Sequence, residues 1–185
     1  SSLSYEVCIG HSILDRIGLV IAKGSLAQRY MVISDSNVSP LFGQEVLDIL
    51  NKAKVKADLI EFPAGEASKN MGTVLALAKE LLARGVDRSS ALIALGGGVV
   101  GDITGFTASI YMRGIPCVQV PTTLMAQVDS SIGGKTGIDL SEGKNLLGTF
   151  SQPQAVFIDL RFLETLPEDQ FTNGLSEVVK YGIID

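Results

Sequence analysis

The clearest chemistry in this sequence lies in Gly96-Gly97-Gly98-Val99-Val100-Gly101-Asp102. An apolar run over 91–95 reads as a buried strand, the glycines end it, and 103–109 reads as a helix. A strand, a glycine turn and a helix start make an anion site. Small residues let a phosphate reach the backbone, and the first helical N–H groups point at it. The spacing satisfies G-x-G-x-x-G at Gly96, Gly98 and Gly101. The usual dinucleotide fingerprint, however, opens the first strand–helix unit and is followed by an acid about 20 residues on. Here the glycines lie mid-chain, and 116–123 carries no acid. The competing reading is a glycine turn that packs closely on a helix.

Other polar groups carry two readings each. Asp35 and Asn37 close an apolar run over 30–33. A carboxylate there can accept two ribose hydroxyls or cap the helix that follows, a task Ser39 could share. Glu66 and Lys69 flank a turn, where they could hold a ribose and reach a phosphate. Alternatively, Glu66 favours the dipole of the next helix. Thr122 and Thr123 follow a run over 117–120. Arg113, Lys135, Lys144 and Asn145 are of the types that recognise phosphate. Lys135 lies in a glycine-rich stretch, 129–139, that reads as an irregular loop or hairpin. A P-loop is not met, because Gly134-Lys135-Thr136 lacks a glycine at Val128 or Asp129. Glu177 and Lys180 share one helix face, either as a surface pair or aimed into a cleft. His11, the sole histidine, reads as a cap or surface residue, and Cys8 and Cys117 as buried core thiols in a reducing compartment. No Cys/His cluster can therefore complete a zinc site, which needs about three or four protein ligands.

The elements that must hold these residues alternate. Strands read at 5–9, 30–33, 57–62, 91–95, 117–120 and 155–158; helices at 13–22, 41–52, 74–83, 103–109 and from 170 on, with a tight helical turn at 163–167. This order predicts an α/β fold, a Rossmann-like, mostly parallel sheet with flanking helices. Ligands then bind beyond the carboxyl ends of the strands, where the polar groups fall. The 185 residues, 46% hydrophobic and 19% charged, have room for a full domain or a domain and a half. A net charge of −5 with scattered cations argues against nucleic acid or a membrane face. No apolar run approaches the ~20 residues of a membrane span. Ser1-Ser2-Leu3 has no signal pattern and reads as a cut or processed start of a cytoplasmic protein. At the other end, 175–185 starts like a helix entering a core and stops without a cap, which reads as a fragment of a longer protein.

Taken together, the glycine stretch, Val120-Pro121-Thr122-Thr123-Leu124, 129–137, Gly143-Lys144-Asn145 and 177–182 resemble the 3-dehydroquinate synthase family, from about residue 30 to the end. Sister sugar-phosphate cyclases share the glycine loop but usually depart from Gly133-Gly134-Lys135-Thr136-Gly137. The resemblance implies a lyase of the shikimate pathway. It converts 3-deoxy-arabino-heptulosonate 7-phosphate to 3-dehydroquinate plus phosphate by transient NAD oxidation, phosphate elimination, re-reduction and aldol closure, with zinc or another divalent metal such as cobalt.

By the same resemblance, Asp35, Asn37, Glu66 and Lys69 hold the adenosine side of NAD. Gly97, Gly98, Val99 and Asp102 meet its pyrophosphate and nearby ribose, and Thr122, Thr123, Lys144, Phe162 and Thr165 also border it. Asp129, Lys135, Asn145 and Lys180 contact substrate. Arg113 reaches the substrate phosphate of a neighbouring subunit, which implies a homodimer, and Glu177 is one metal ligand. The remaining ligands are histidines in a helical C-terminal domain. Residues 1–166 then form the NAD-binding domain and 167–185 the start of the helical one, and the chain alone turns nothing over. Other readings are a sister cyclase, a metal-dependent alcohol or glycerol dehydrogenase, and a nucleotide-sensing module.

Overall fold

A computed structural model of the chain describes residues 4–24 and 26–184. The readings that rest on Ser1-Ser2-Leu3 and on Asp185 lie outside those residues. The elements run β1 (Glu6–Gly10), α1 (Leu14–Gly24), β2 (Arg29–Asp35), α2 (Gln44–Lys52), β3 (Ala57–Phe62), α3 (Met71–Ala83), β4 (Ser90–Gly96), α4 (Gly98–Ile110), β5 (Cys117–Pro121), β6 (Lys135–Leu140), β7 (Gly143–Phe150), β8 (Ala155–Asp159) and α5 (Glu168–Ile184). Short helical turns stand at Ser39–Gly43, Glu66–Ser68, Tyr111–Arg113, Ala126–Ser130 and Leu160–Thr165.

Six strands form one parallel sheet in the order β1-β8-β5-β4-β2-β3. The near-continuous apolar runs of β2, β4, β5 and β8 follow from this, because a parallel strand covered on both faces buries every side chain. Helices α1 and α2 cover one face, with Ile17, Ile21, Val46 and Leu50 packed on Val32, Ile93 and Phe157. Helices α3 and α4 cover the other, with Val74, Leu77, Ile103 and Phe106 packed on Met31, Leu92 and Ala94. The chain steps outward from β2 to β3, then returns past β2 to β4. The strand order therefore reverses between β2 and β4, and a crevice opens at their carboxyl ends.

Asp159, fully buried at the end of β8, ties the first helix to this sheet. Its carboxylate accepts from the backbone N–H groups of Ser12 (2.8 Å), Ile13 (2.8 Å), Leu14 (3.3 Å) and Arg161 (3.0 Å).

The structure corrects several expectations. Helix α4 begins at Gly98, not near 103, so two glycines of the stretch lie inside the helix. A Cβ on Gly101 would stand 2.9 Å from Gln119 Oε1 and one on Gly105 2.5 Å from Thr136 Cγ2; close packing is the reason for glycine at both. Of the two readings of 129–139, loop or hairpin, the hairpin holds: β6 pairs antiparallel with β7, and Lys135 opens β6. Helix α5 enters no core. Gly174 is its one buried residue, and Val179, Ile183 and Ile184 are 58%, 76% and 68% exposed. Both cysteines are buried and unpaired, and burial pushes the Cys117 thiol up to about 12. Among the described residues, no helix is long and apolar enough to cross a membrane.

Candidate functional site

Two clefts flank the first turn of α4. The larger, of about 800 Å³, lies at the β2/β4 reversal. Of the residues expected at a cofactor, Asp35, Asn37, Glu66, Gly97, Gly98, Val99, Thr122, Phe162 and Thr165 line it. They come from the ends of β2, β3, β4, β5 and β8, brought together because a parallel sheet puts every strand's carboxyl end on one rim.

Local structure explains each position. Gly97 stands before α4 in extended backbone and supplies no side-chain cap, so the first N–H groups of the helix have no intrahelical partner. A Cβ on Gly97 would come 2.9 Å from Thr123 Cγ2, and one on Gly98 3.1 Å from Ser130 Oγ. Only bare backbone fits between those side chains and the cleft. Asp35 caps the turn after β2 rather than the helix that follows: its Oδ1 accepts from Asn37 N and Val38 N, both at 2.9 Å, and the helical turn at Ser39–Gly43 has no side-chain cap. This uses one of its two oxygens. Thr122 is 4% exposed, and its Oγ1 has no hydrogen-bond partner. An unpaired buried hydroxyl on a cleft wall is costly unless something fills the cleft.

The second cleft, of about 600 Å³, lies on the hairpin side. Asp102, Asp129, Lys135 and Asn145 line it, together with Ser130, Thr136 and Thr149. Four residues expected beside the cofactor therefore stand elsewhere: Asp102 faces this second cleft, and Lys69, Thr123 and Lys144 line neither. Lys69 is buried between the two. Its ammonium donates to Asp102 Oδ2 and Asn145 Oδ1, both at 2.6 Å. Burial pushes the Asp102 carboxyl above its ordinary value of 3.8 against the downward pull of Lys69. Lys144 reaches back to Glu66 at 3.0 Å, so the hairpin is strapped to the turn after β3. Thr123 sits between the clefts and caps the turn at Ala126 through its Oγ1 (3.2 Å).

Three further expected residues, assigned to substrate or metal, also line neither cleft. Arg113 is exposed at the far end of α4, where both it and Met112 have positive φ (74° and 49°). Glu177 and Lys180 pair with each other on α5, Glu177 largely buried and Lys180 half-exposed. Tyr181, next in sequence, donates to Asp129 Oδ1 (2.9 Å) and brings α5 to the rim of the second cleft. No group of three or more metal-ligating side chains occurs among the described residues. His11 is a surface residue paired with Glu164 (2.9 Å). Sequence reasoning missed Tyr181, Ser130 and Asp139 as parts of the site. The first two border residues it did single out; nothing local to Asp139 marks its partner at 145.

The chain spans about half the length of the curated relatives it matches. It is 47% identical over 98% of its length to the 3-dehydroquinate synthase of Desulforamulus reducens, of which it covers 50%. Among solved structures it is similar to 2-deoxy-scyllo-inosose synthase complexed with carbaglucose-6-phosphate, NAD+ and Co2+. That match has 32% identity and a TM-score of 0.90, over 97% of this chain and 48% of that one. It is also similar to the 2-epi-5-epi-valiolone synthase ValA of Streptomyces hygroscopicus with NAD+ and Zn2+ bound, at 36% identity and TM-score 0.87, over 97% and 49% of the two chains. Residues 59–173 match the model of the 3-dehydroquinate synthase N-terminal part, and the chain belongs to that family.

Proposed function

We propose that this chain is the cofactor half of a 3-dehydroquinate synthase, with 1–166 as the NAD-binding domain and 167–185 as the start of a helical metal and substrate domain. The observation that carries it is the pair of clefts joined at Lys69–Asp102–Asn145, one at the β2/β4 reversal beside the glycine turn and the other lined by a lysine and an amide.

The larger cleft fits NAD on its own evidence: uncapped N–H groups of α4 aim at a pyrophosphate, Thr122 Oγ1 lacks a partner, and Asp35 and Glu66 offer carboxylates to ribose. When bound, NAD supplies a reversible oxidation of a substrate alcohol. The protein does the rest. Lys135 and Asn145 hold the sugar phosphate of the seven-carbon heptulosonate, and Asp129, fixed by Tyr181, orients it. Lys180 reaches it from α5. Thr123, Lys144, Phe162 and Thr165 enclose the cofactor's outer edge. Arg113, far from both clefts, completes the phosphate site of a second copy, which makes the working unit a homodimer. Zinc or cobalt does not fit this chain alone: Glu177 is a single carboxylate already engaged by Lys180. The buried free thiols suit a reducing, cytoplasmic setting.

The test has two arms. Calorimetry should show this chain binding NAD with no turnover. The gene extended past Asp185, given NAD and zinc, should release phosphate from 3-deoxy-arabino-heptulosonate 7-phosphate without net NADH. Release only from sedoheptulose 7-phosphate or glucose 6-phosphate would make it a sister cyclase. NADH accumulating on a simple alcohol would make it a dehydrogenase, and NAD binding with no catalysis in the extended protein a sensor.

A further inference from the structure

Asn145, the amide assigned above to substrate, stands in left-handed backbone at φ 56° on the exposed hairpin. Asn tolerates that conformation better than most residues, but tolerance does not select it. Selection comes from Asp139. Its Oδ1 accepts the Asn145 backbone N–H at 2.7 Å, and its own N–H donates to the Lys69 carbonyl at 2.8 Å. Asp139 thus holds the start of β7 by its side chain and the turn before α3 by its backbone. Lys69 closes the ring by donating to Asn145 Oδ1. With its oxygen engaged, the Asn145 amide has N–H groups left to offer a sugar phosphate.

We propose that Asp139 is a positioning residue that fixes Asn145 for substrate through its carboxylate and leaves cofactor binding untouched. This rests on the assignment of the hairpin cleft to substrate and of the larger cleft to NAD. The split follows from which bonds a substitution removes. Truncating the Asp139 side chain deletes the bond to Asn145 N. The backbone bond to Lys69 survives, no residue lining the larger cleft is touched, and Lys144 keeps its own pairing with Glu66. Asn at 139 keeps an acceptor oxygen of the same length.

The test is residue-resolved amide hydrogen exchange on this chain, with NAD titration alongside. In D139A the Asn145 amide should exchange at least tenfold faster, while NAD affinity stays within about twofold. D139N should restore exchange to within about threefold of wild type. D139S serves as a second truncation if D139A does not fold. In the enzyme extended past Asp185, D139A should lower kcat more than tenfold with KM for NAD unchanged, and D139N should recover most of it. Wild-type NAD binding with unchanged Asn145 exchange in D139A or D139S overturns the positioning role alone, as does a kcat loss that D139N fails to recover. A wild-type chain that takes up no NAD overturns the assignment beneath it and the inference with it.

Discussion

The two clefts are built by different means. The larger is assembled from the ends of five strands, four of which, β2, β4, β5 and β8, bury nearly every side chain, so its residues are placed by the core itself. The smaller depends on a two-stranded hairpin that meets the body of the protein through one face: Thr136 and Ile138 pack toward α4, while Leu146 and Phe150 are 57% and 85% exposed. Polar straps hold what packing does not, namely Lys69–Asp102, Lys69–Asn145, Glu66–Lys144 and Asp139–Asn145. A core fixes a site by volume, and a strap fixes it by a few directional bonds. The first kind should break all at once and the second bond by bond.

The largest expected effect lies on the sheet side. Asp159→Ala would leave four backbone N–H groups without their acceptor. Each unsatisfied buried donor costs about 1–3 kcal/mol, so the chain should lose more than ~3 kcal/mol in urea unfolding. A loss below 1 kcal/mol would mean that α1 is held by its apolar contacts alone.

Thr122→Val comes next and separates cleft from core. It is nearly isosteric and removes a hydroxyl that has no partner in the ligand-free chain, so stability should hold or rise slightly. If the hydroxyl serves NAD, affinity should fall about five- to twentyfold, the worth of one hydrogen bond of ~1–2 kcal/mol. Unchanged affinity in the calorimeter would show that Thr122 only lines the wall.

Lys69→Met tests the junction. Burial raises the Asp102 carboxyl and Lys69 pulls it back, so removing the ammonium should move it further up. The sign for stability follows. A carboxyl raised in the folded state keeps its proton where the unfolded chain releases it, so its stabilising share is complete below 3.8 and is lost as pH climbs through the folded value. K69M should stretch that window upward, read by carbon-13 titration of Asp102. A downward move would mean that Asp102 is not buried as described.

How much of this was legible in the sequence divides along the same line. Apolar runs set the strands, alternation set the parallel sheet, and strand-end polar residues set the larger cleft, because each depends on neighbours in sequence. The reach of Asp159 to Ser12, Ile13 and Leu14, some 146 positions away, carries no local signal. Nor does the burial of Lys69, which depends on a hairpin that starts 66 residues later. The start of α4 was misplaced because glycines weigh against a helix by propensity, and close packing on Gln119 and Thr136 outweighs that. The apolar residues of α5 read as a core face, and among the described residues nothing buries Val179, Ile183 or Ile184.

Two phenylalanines give the sharpest contrast, and Phe150 the smallest effect. Phe157, on β8, is fully buried between helices and sheet; Phe150, on β7, is 85% exposed. Phe157→Ala should cost about 3–5 kcal/mol, because truncation leaves a cavity that a parallel sheet cannot collapse. Phe150→Ala should change the stability of this chain by less than ~0.5 kcal/mol, the range of surface positions. The hairpin ladder that carries Phe150 is held by backbone pairing, including Lys135 opposite Phe150, and by the Thr136–Thr149 hydroxyl bond at 2.8 Å, all of which survive the change. A loss above 1 kcal/mol in urea unfolding would place Phe150 against an apolar surface in solution, and the hairpin would then owe its position to packing as well as to its straps.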